Sequence, residues 1–142
     1  MRVRADLVRR DEVPVLYVGA TDEVADIRRA WEQLETTIGS LRGRRFVGVF
    51  DPEASAYRAC VERQDTDDST ASGLVEGTAP GGLYLRTRLK GEPPEIYDRI
   101  GSTFDELRRI VEPEPGRSSL ELYRRRDVID LLLPVIDAPD PE

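Results

Sequence analysis

The feature that most constrains this chain is a repeat. The segment "DEVADIRRAWEQLETTIGS" places Val24, Ile27, Trp31, Leu34 and Ile38 at steps of three and four, the apolar stripe of an amphipathic helix. The segment "PPEIYDRIGSTFDELRRIV" places Tyr97, Ile100, Phe104, Leu107 and Val111 in the same steps, and each stands 73 residues after its counterpart. A strand-like stretch precedes each helix, "VLYVGA" and "GLYLRTRLK". Two more follow each: "RFVGVF" and "ASAYRACVE", then "SLELYRR" and "VIDLLLPV". The chain therefore reads as two copies of strand–helix–strand–strand, a duplicated unit with too few copies for a solenoid. Thr21 or Asp22 is expected to cap the first helix and Gly39 to end it, while Pro93 and Pro94 fall at the start of the second.

Strands with one apolar side, covered by two amphipathic helices, predict an α+β fold. Two pseudo-twofold-related units would share a mostly antiparallel sheet, with helices on one side and a central groove between the halves. The predicted organisation is a single domain over residues 1–136, with repeat 1 at about 3–62, a linking loop at 63–81 and repeat 2 at about 82–136. The link, "RQDTDDSTASGLVEGTAPGG", is rich in Gly, Ser and Asp and reads as a surface loop. Residues 137–142 read as an acidic tail.

Composition removes several function classes. There is no histidine, the commonest acid/base and metal ligand near neutral pH, and Cys60 is the single cysteine. Ser-His-Asp and Cys-His devices, disulfides and multi-cysteine zinc sites are thereby excluded, and neither metal nor cofactor is expected. The net charge of −7, from 28 acidic and 21 basic residues, argues against direct nucleic-acid binding. The one concentrated basic run, Arg124 to Arg126, reads as a solvated turn. No apolar run approaches the roughly 18 residues a membrane helix needs, and "MRVRADLVRR" has no apolar leader core, so a cytoplasmic protein without membrane contact is expected. Neither a phosphate-loop nor a dinucleotide glycine pattern occurs, and "DTDDST" lacks the glycine and terminal glutamate of a calcium loop.

Strand alternation singles out one carboxylate. In "SLELYRR", Leu120 and Leu122 share one face, and Ser119, Glu121 and Tyr123 the other. The same parity separates Tyr84 and Arg86 from Leu83, Leu85 and Leu89. With the leucine faces turned to the helices, Tyr84, Arg86, Glu121 and Tyr123 would face the groove. Trp31 lies on the helix stripe and reads as core, and Cys60 as a small buried hydrophobe.

These pieces together resemble the GyrI-like small-molecule-binding domains, similar to effector-binding domains of bacterial multidrug-responsive and AraC-type transcription regulators. The resemblance is carried by "WEQL" with Trp31 and Leu34, "FVGVFDPEAS" with Gly48 and Asp51-Pro52, and "YRACVE" around Cys60. It continues through "GTAPGGLYL" with Pro80, Gly81 and Tyr84, "LKGEPPEIYDRIGSTFDEL", and "LELYRR" with "DLLLPV", containing Glu121, Tyr123 and Pro134. Arg58 stands where such domains often carry aspartate. The resemblance implies a stand-alone module binding lipophilic, often cationic, organic molecules in its central groove, with Glu121 at the centre. Tyr17, Phe50, Tyr57, Tyr84 and Tyr123 are the available aromatic walls. It also implies two alternatives. One is a hydrolase of cyclopropane-type electrophiles, with Glu121 as general base and Tyr84 or Tyr123 as the donor to the leaving oxygen. The other is a gyrase-interacting protein. Any transcriptional role would need a DNA-binding protein supplied in trans. An internal ion pair, with Arg86 or Arg58 neutralising Glu121, is the competing structural expectation.

Overall fold

The computed structural model of the chain describes residues 4–67 and 73–136. The predicted acidic tail, 137–142, and part of the link, 68–72, lie outside the described residues. Strand β1 spans Asp6–Arg10, β2 Val13–Thr21, helix α1 Val24–Ile38, β3 Phe46–Asp51 and β4 Ala56–Glu62. Then come β5 Val75–Ala79, β6 Gly82–Lys90, a short helix α2 Glu95–Asp98, α3 Ile100–Ile110, β7 Ser119–Arg125 and β8 Val128–Pro134. The strands form one antiparallel eight-stranded sheet in the order β1-β6-β8-β7-β3-β4-β2-β5. The duplicated unit with helices on one side is therefore present, and its two copies meet along β3 and β7.

The helices form where the stripes predicted, with corrections at their ends. Leu34 and its equivalent Leu107 are both fully buried, each worth about 1.5–3 kcal/mol of transfer free energy. Val24, however, is 72% exposed, because α1 starts there and its first turn overhangs the sheet. The residue at the N-cap is Glu23, whose side chain makes no cap. The Thr21 hydroxyl instead accepts the Glu23 N–H at 3.3 Å and donates to Asp26 at 2.6 Å. Gly39 ends the helix as expected, at φ 78°. In the second copy the chain breaks at Arg99 between α2 and α3, which shifts the helical phase. Ile96 is consequently buried, and Tyr97 is left 47% exposed.

Two strands lie outside the six that the sequence pattern predicts. The charged N-terminal segment supplies β1, and the predicted link supplies β5. Each crosses to the other copy: β1 precedes β2 but pairs with β6, and β5 precedes β6 but pairs with β2. Only Asp11-Glu12 and Pro80-Gly81 make these crossings. They pass in contact, since a Cβ on Gly81 would lie 2.5 Å from the Glu12 backbone nitrogen and 2.8 Å from the Arg10 carbonyl oxygen.

Such short crossings join opposite ends of the sheet, so the sheet must bend. The inside of the bend holds an apolar cluster, with Val15, Val47, Val49, Cys60, Tyr84, Leu120, Leu122 and Leu132 buried. The helices lie on the other face: α1 packs on β2 and β4, and α3 on β8. This corrects one expectation. Leu120 and Leu122 point into the bend and away from the helices, so the face carrying Glu121 is the helix face. At the rim of the inner face, the fully buried Asp130 is paired with Arg88 at 2.7 Å and Arg124 at 3.0 Å. Burial pushes its carboxyl up, but the two guanidinium groups outweigh that and hold it below the ordinary value.

Cys60 tests the closure of the bend. It has no exposed surface, and burial pushes its thiol up to about 12. A thiol-selective disulfide reagent at pH 8 is expected to leave native protein unlabelled and to label it fully in denaturant. Immediate native labelling would show that the inner face is open.

Candidate functional site

The two central strands pair antiparallel, and one pair of partners has a special position. Gly48 faces Glu121 across β3 and β7, and these residues are also 73 apart, hence equivalents in the two repeats. The pseudo-twofold axis therefore passes through this pair. With α1 over β2 and β4 and α3 over β8, the β3–β7 strip lies between the helices, and Glu121 stands at its midpoint.

A side chain at the axis must share space with its own equivalent. Gly48 resolves the conflict: an added Cβ would meet the Tyr57 hydroxyl and approach Glu121 Oε1 to 2.6 Å. The vacated volume holds the carboxylate and its donors. The Tyr57 hydroxyl donates to Glu121 Oε1 at 2.8 Å, and the Tyr123 hydroxyl donates to the same oxygen at 2.6 Å. The Trp31 indole N–H donates to the Tyr57 oxygen at 3.1 Å. The Trp31 ring also meets Phe46, Tyr57 and Tyr123 edge-on, with centroids 6.2, 6.3 and 5.2 Å away. Such geometry sets the positive ring edge of one partner against the negative face of the other.

Glu121 is only 8% exposed, and among the described residues no cation pairs with it. Arg86 is engaged by Asp6 at 2.8 Å, and Arg58 lies 4.4 Å over the Tyr17 ring. The expected internal ion pair is thus absent there. Burial raises the Glu121 carboxyl above its ordinary value, and the hydrogen bonds from Tyr123 and Tyr57 only partly offset this. Both tyrosines are pushed well above their ordinary value, by burial first and by the nearby carboxylate second. They therefore stay protonated and act as donors. Glu121 Oε2 accepts no hydrogen bond among the described residues, and it is not a fully buried atom.

Of the six residues expected to bind ligand, Glu121, Tyr123, Tyr57 and Phe50 share this face. Tyr84 and Tyr17 do not. Tyr84 is fully buried in the bend, its hydroxyl bonded to the Pro80 carbonyl and its ring under Arg117 at 4.4 Å. Tyr17 packs against the same inner cluster. A Glu121–Tyr84 catalytic pair is therefore ruled out by geometry. Sequence reasoning missed Trp31, which it assigned to core. A usable signal was the asymmetry between repeats: Phe46 and Tyr57 are aromatic where register gives Ser119 and Ile129 in the second copy.

Comparison with known proteins places the fold. No family model matches the sequence. A sequence relative, the Chaperone protein DnaJ 2 of Synechocystis sp., is 45% identical over 60 residues, 39% of this chain but only 19% of that protein. Solved structures match nearly end to end. An integron cassette protein from the mobile metagenome of Vibrio cholerae has a TM-score of 0.72 at 17% identity, covering 93% of this chain and 95% of that one. The EcmrR C-terminal domain has a TM-score of 0.67 at 11% identity, covering 97% and 100%. SAV2435, solved bound to tetraphenylphosphonium, has a TM-score of 0.65 at 10% identity, covering 94% of each chain. The chain has a GyrI-like fold. At these identities the likeness concerns the fold.

Two outcomes test the axial arrangement. Gly48→Ala forces a methyl into the carboxylate and Tyr57, so a loss of about 1–3 kcal/mol in denaturant unfolding is expected, with part of it recovered in Gly48→Ala/Tyr57→Phe. Glu121→Gln keeps an oxygen acceptor but no charge. A carboxyl raised on folding loses stability as pH climbs from its unfolded value through its folded one. The Gln variant escapes that loss, so its melting temperature should exceed wild type above this window and converge with it below. A constant difference across pH would show that Glu121 does not titrate differently on folding.

Proposed function

We propose that this chain is a small-molecule-binding module that takes lipophilic, cationic organic compounds over Glu121. The observation that carries the reading is a nearly buried carboxylate, walled by aromatic rings and without a cationic partner among the described residues. Tyr57 and Tyr123 hold one oxygen by donated hydrogen bonds, which orient the charge without cancelling it. Oε2 is the oxygen left for a ligand.

Magnitudes rank the contributions. A unit cation about 4 Å from the carboxylate gains roughly 4 kcal/mol at an effective dielectric of about 20. A single good cation–π contact adds about 0.5–2 kcal/mol. The carboxylate therefore sets the preference for charge, while Trp31, Phe46, Tyr57 and Tyr123 set the preference for a flat or apolar body. The reading is supported by SAV2435, a fold neighbour solved with the lipophilic cation tetraphenylphosphonium. EcmrR, solved in a complex with DNA, matches over 58% of its chain and supports a regulatory setting in which a DNA-binding element accompanies the module.

Trp31 is the sole tryptophan and sits over the site, so intrinsic fluorescence reports on it directly. Titration with tetraphenylphosphonium at pH 8 is expected to change the Trp31 signal saturably. Glu121→Gln should bind at least tenfold more weakly, equivalent to about 1.4 kcal/mol. Wild-type affinity should rise with pH as the carboxylate ionises, and the variant's should stay flat. Equal affinity for both proteins would overturn the role of Glu121.

A further inference from the structure

The bent sheet is open at one mouth, where β1, β3, β4 and β7 present their ends and β2 begins. A cavity of about 390 Å³ lies there, within the roughly 300–1,000 Å³ usual for small-molecule sites. Val13, Phe46 and Tyr123 line it as partly exposed apolar side chains, while Val47 and Leu122 also border it but are almost wholly buried. Its rim is formed by Arg10, Arg44, Arg45 and Arg124, with Glu62 the one acidic side chain lining it.

The charges on this rim do not balance. Arg44 is satisfied as an ion, held by Asp67 at 2.8 Å, and Arg124 shares Asp130 with Arg88. Arg10 and Arg45 have no carboxylate partner among the described residues. The Arg10 and Arg44 Nε atoms are moreover buried without a hydrogen-bond acceptor, and they are the side-chain atoms so placed among the described residues. The Arg44 side chain is 8% exposed. A buried donor without an acceptor costs about 1–3 kcal/mol, more on a charged group. Both such donors border one cavity, whose rim gathers four guanidinium groups in a chain of net charge −7.

We infer that this mouth binds an amphipathic organic anion, its carboxylate or phosphate head held by Arg10, Arg44 and Arg45 and its apolar body laid on Val13, Phe46 and Tyr123. This site adjoins the one over Glu121 and shares Phe46 and Tyr123 with it. The β3 and β7 side chains alternate, so Val47 and Leu122 face the bend while Gly48 and Glu121 face the helices. The two sites select opposite charge, and Tyr123 touches both, lining the cavity and donating to Glu121.

Calorimetric titration at low salt with octanoate, octyl phosphate, octanol and inorganic phosphate tests this. Octanoate, octyl phosphate or both are expected to bind, and octanol is not. Arg10→Gln and Arg45→Gln should each weaken the binding about tenfold. Glu121→Gln should leave it unchanged, which separates this result from the fate of the cation site. Arg45 is exposed, so Arg45→Glu supplies a charge reversal that leaves folding intact should Arg10→Gln melt early. The inference is overturned if neither amphiphile binds, if the arginine variants bind like wild type, or if inorganic phosphate binds as tightly as octyl phosphate.

Discussion

The organisation of this protein depends on an uncompensated carboxylate at a symmetry axis. Glu121 is almost wholly removed from water, yet its partners are hydroxyl donors and not cations. Burial without pairing is costly for an ionised group. The fold tolerates it because Tyr57, Tyr123 and, through Tyr57, Trp31 form a connected chain of donors ending on one oxygen. The geometry in turn requires Gly48, since any other residue there would occupy the carboxylate's place. Strand pairing, aromatic placement and charge thus meet at one point, and each depends on the others.

Much of this was legible in the amino-acid sequence because periodicity is a direct print of geometry. The 73-residue offset between the helix stripes yields the duplication, and alternation in "SLELYRR" separates Glu121 from Leu120 and Leu122 correctly. Alternation alone says only that two faces differ. It does not say which one the helices cover, and here both faces are apolar: Val47, Val49, Leu120 and Leu122 line the bend while Leu131 and Leu133 meet α3. Tyr84 and Tyr17 were misplaced for that reason. The bend itself comes from β1 and β5, whose sequences, "DLVRR" and "VEGTA", are short and too polar to stand out as strands. Trp31 was hidden differently. It obeys the helix period, yet its length carries it past the core to the axis, while its equivalent Phe104 stays under α3.

Bending a sheet makes its two faces chemically unlike. The helix face offers a negative centre among aromatic rings, and the end of the inner face gathers guanidinium groups. The same two central strands carry both, one residue out of phase. A shift of one residue in the β3–β7 register would turn one strand's side chains to the opposite face, so the pairing fixes which groups each face presents.

The exchange of β1 and β5 between the halves has an ancestral reading. A single half could complete its sheet only by trading its leading strand with a second copy, as an intertwined homodimer. In that dimer every residue on the axis faces itself. Two glutamates there would repel and share one proton, and two glycines would leave the centre without charge. Joining the copies in one chain lifts that identity. It allows one half to supply the acid and the other to supply the room for it.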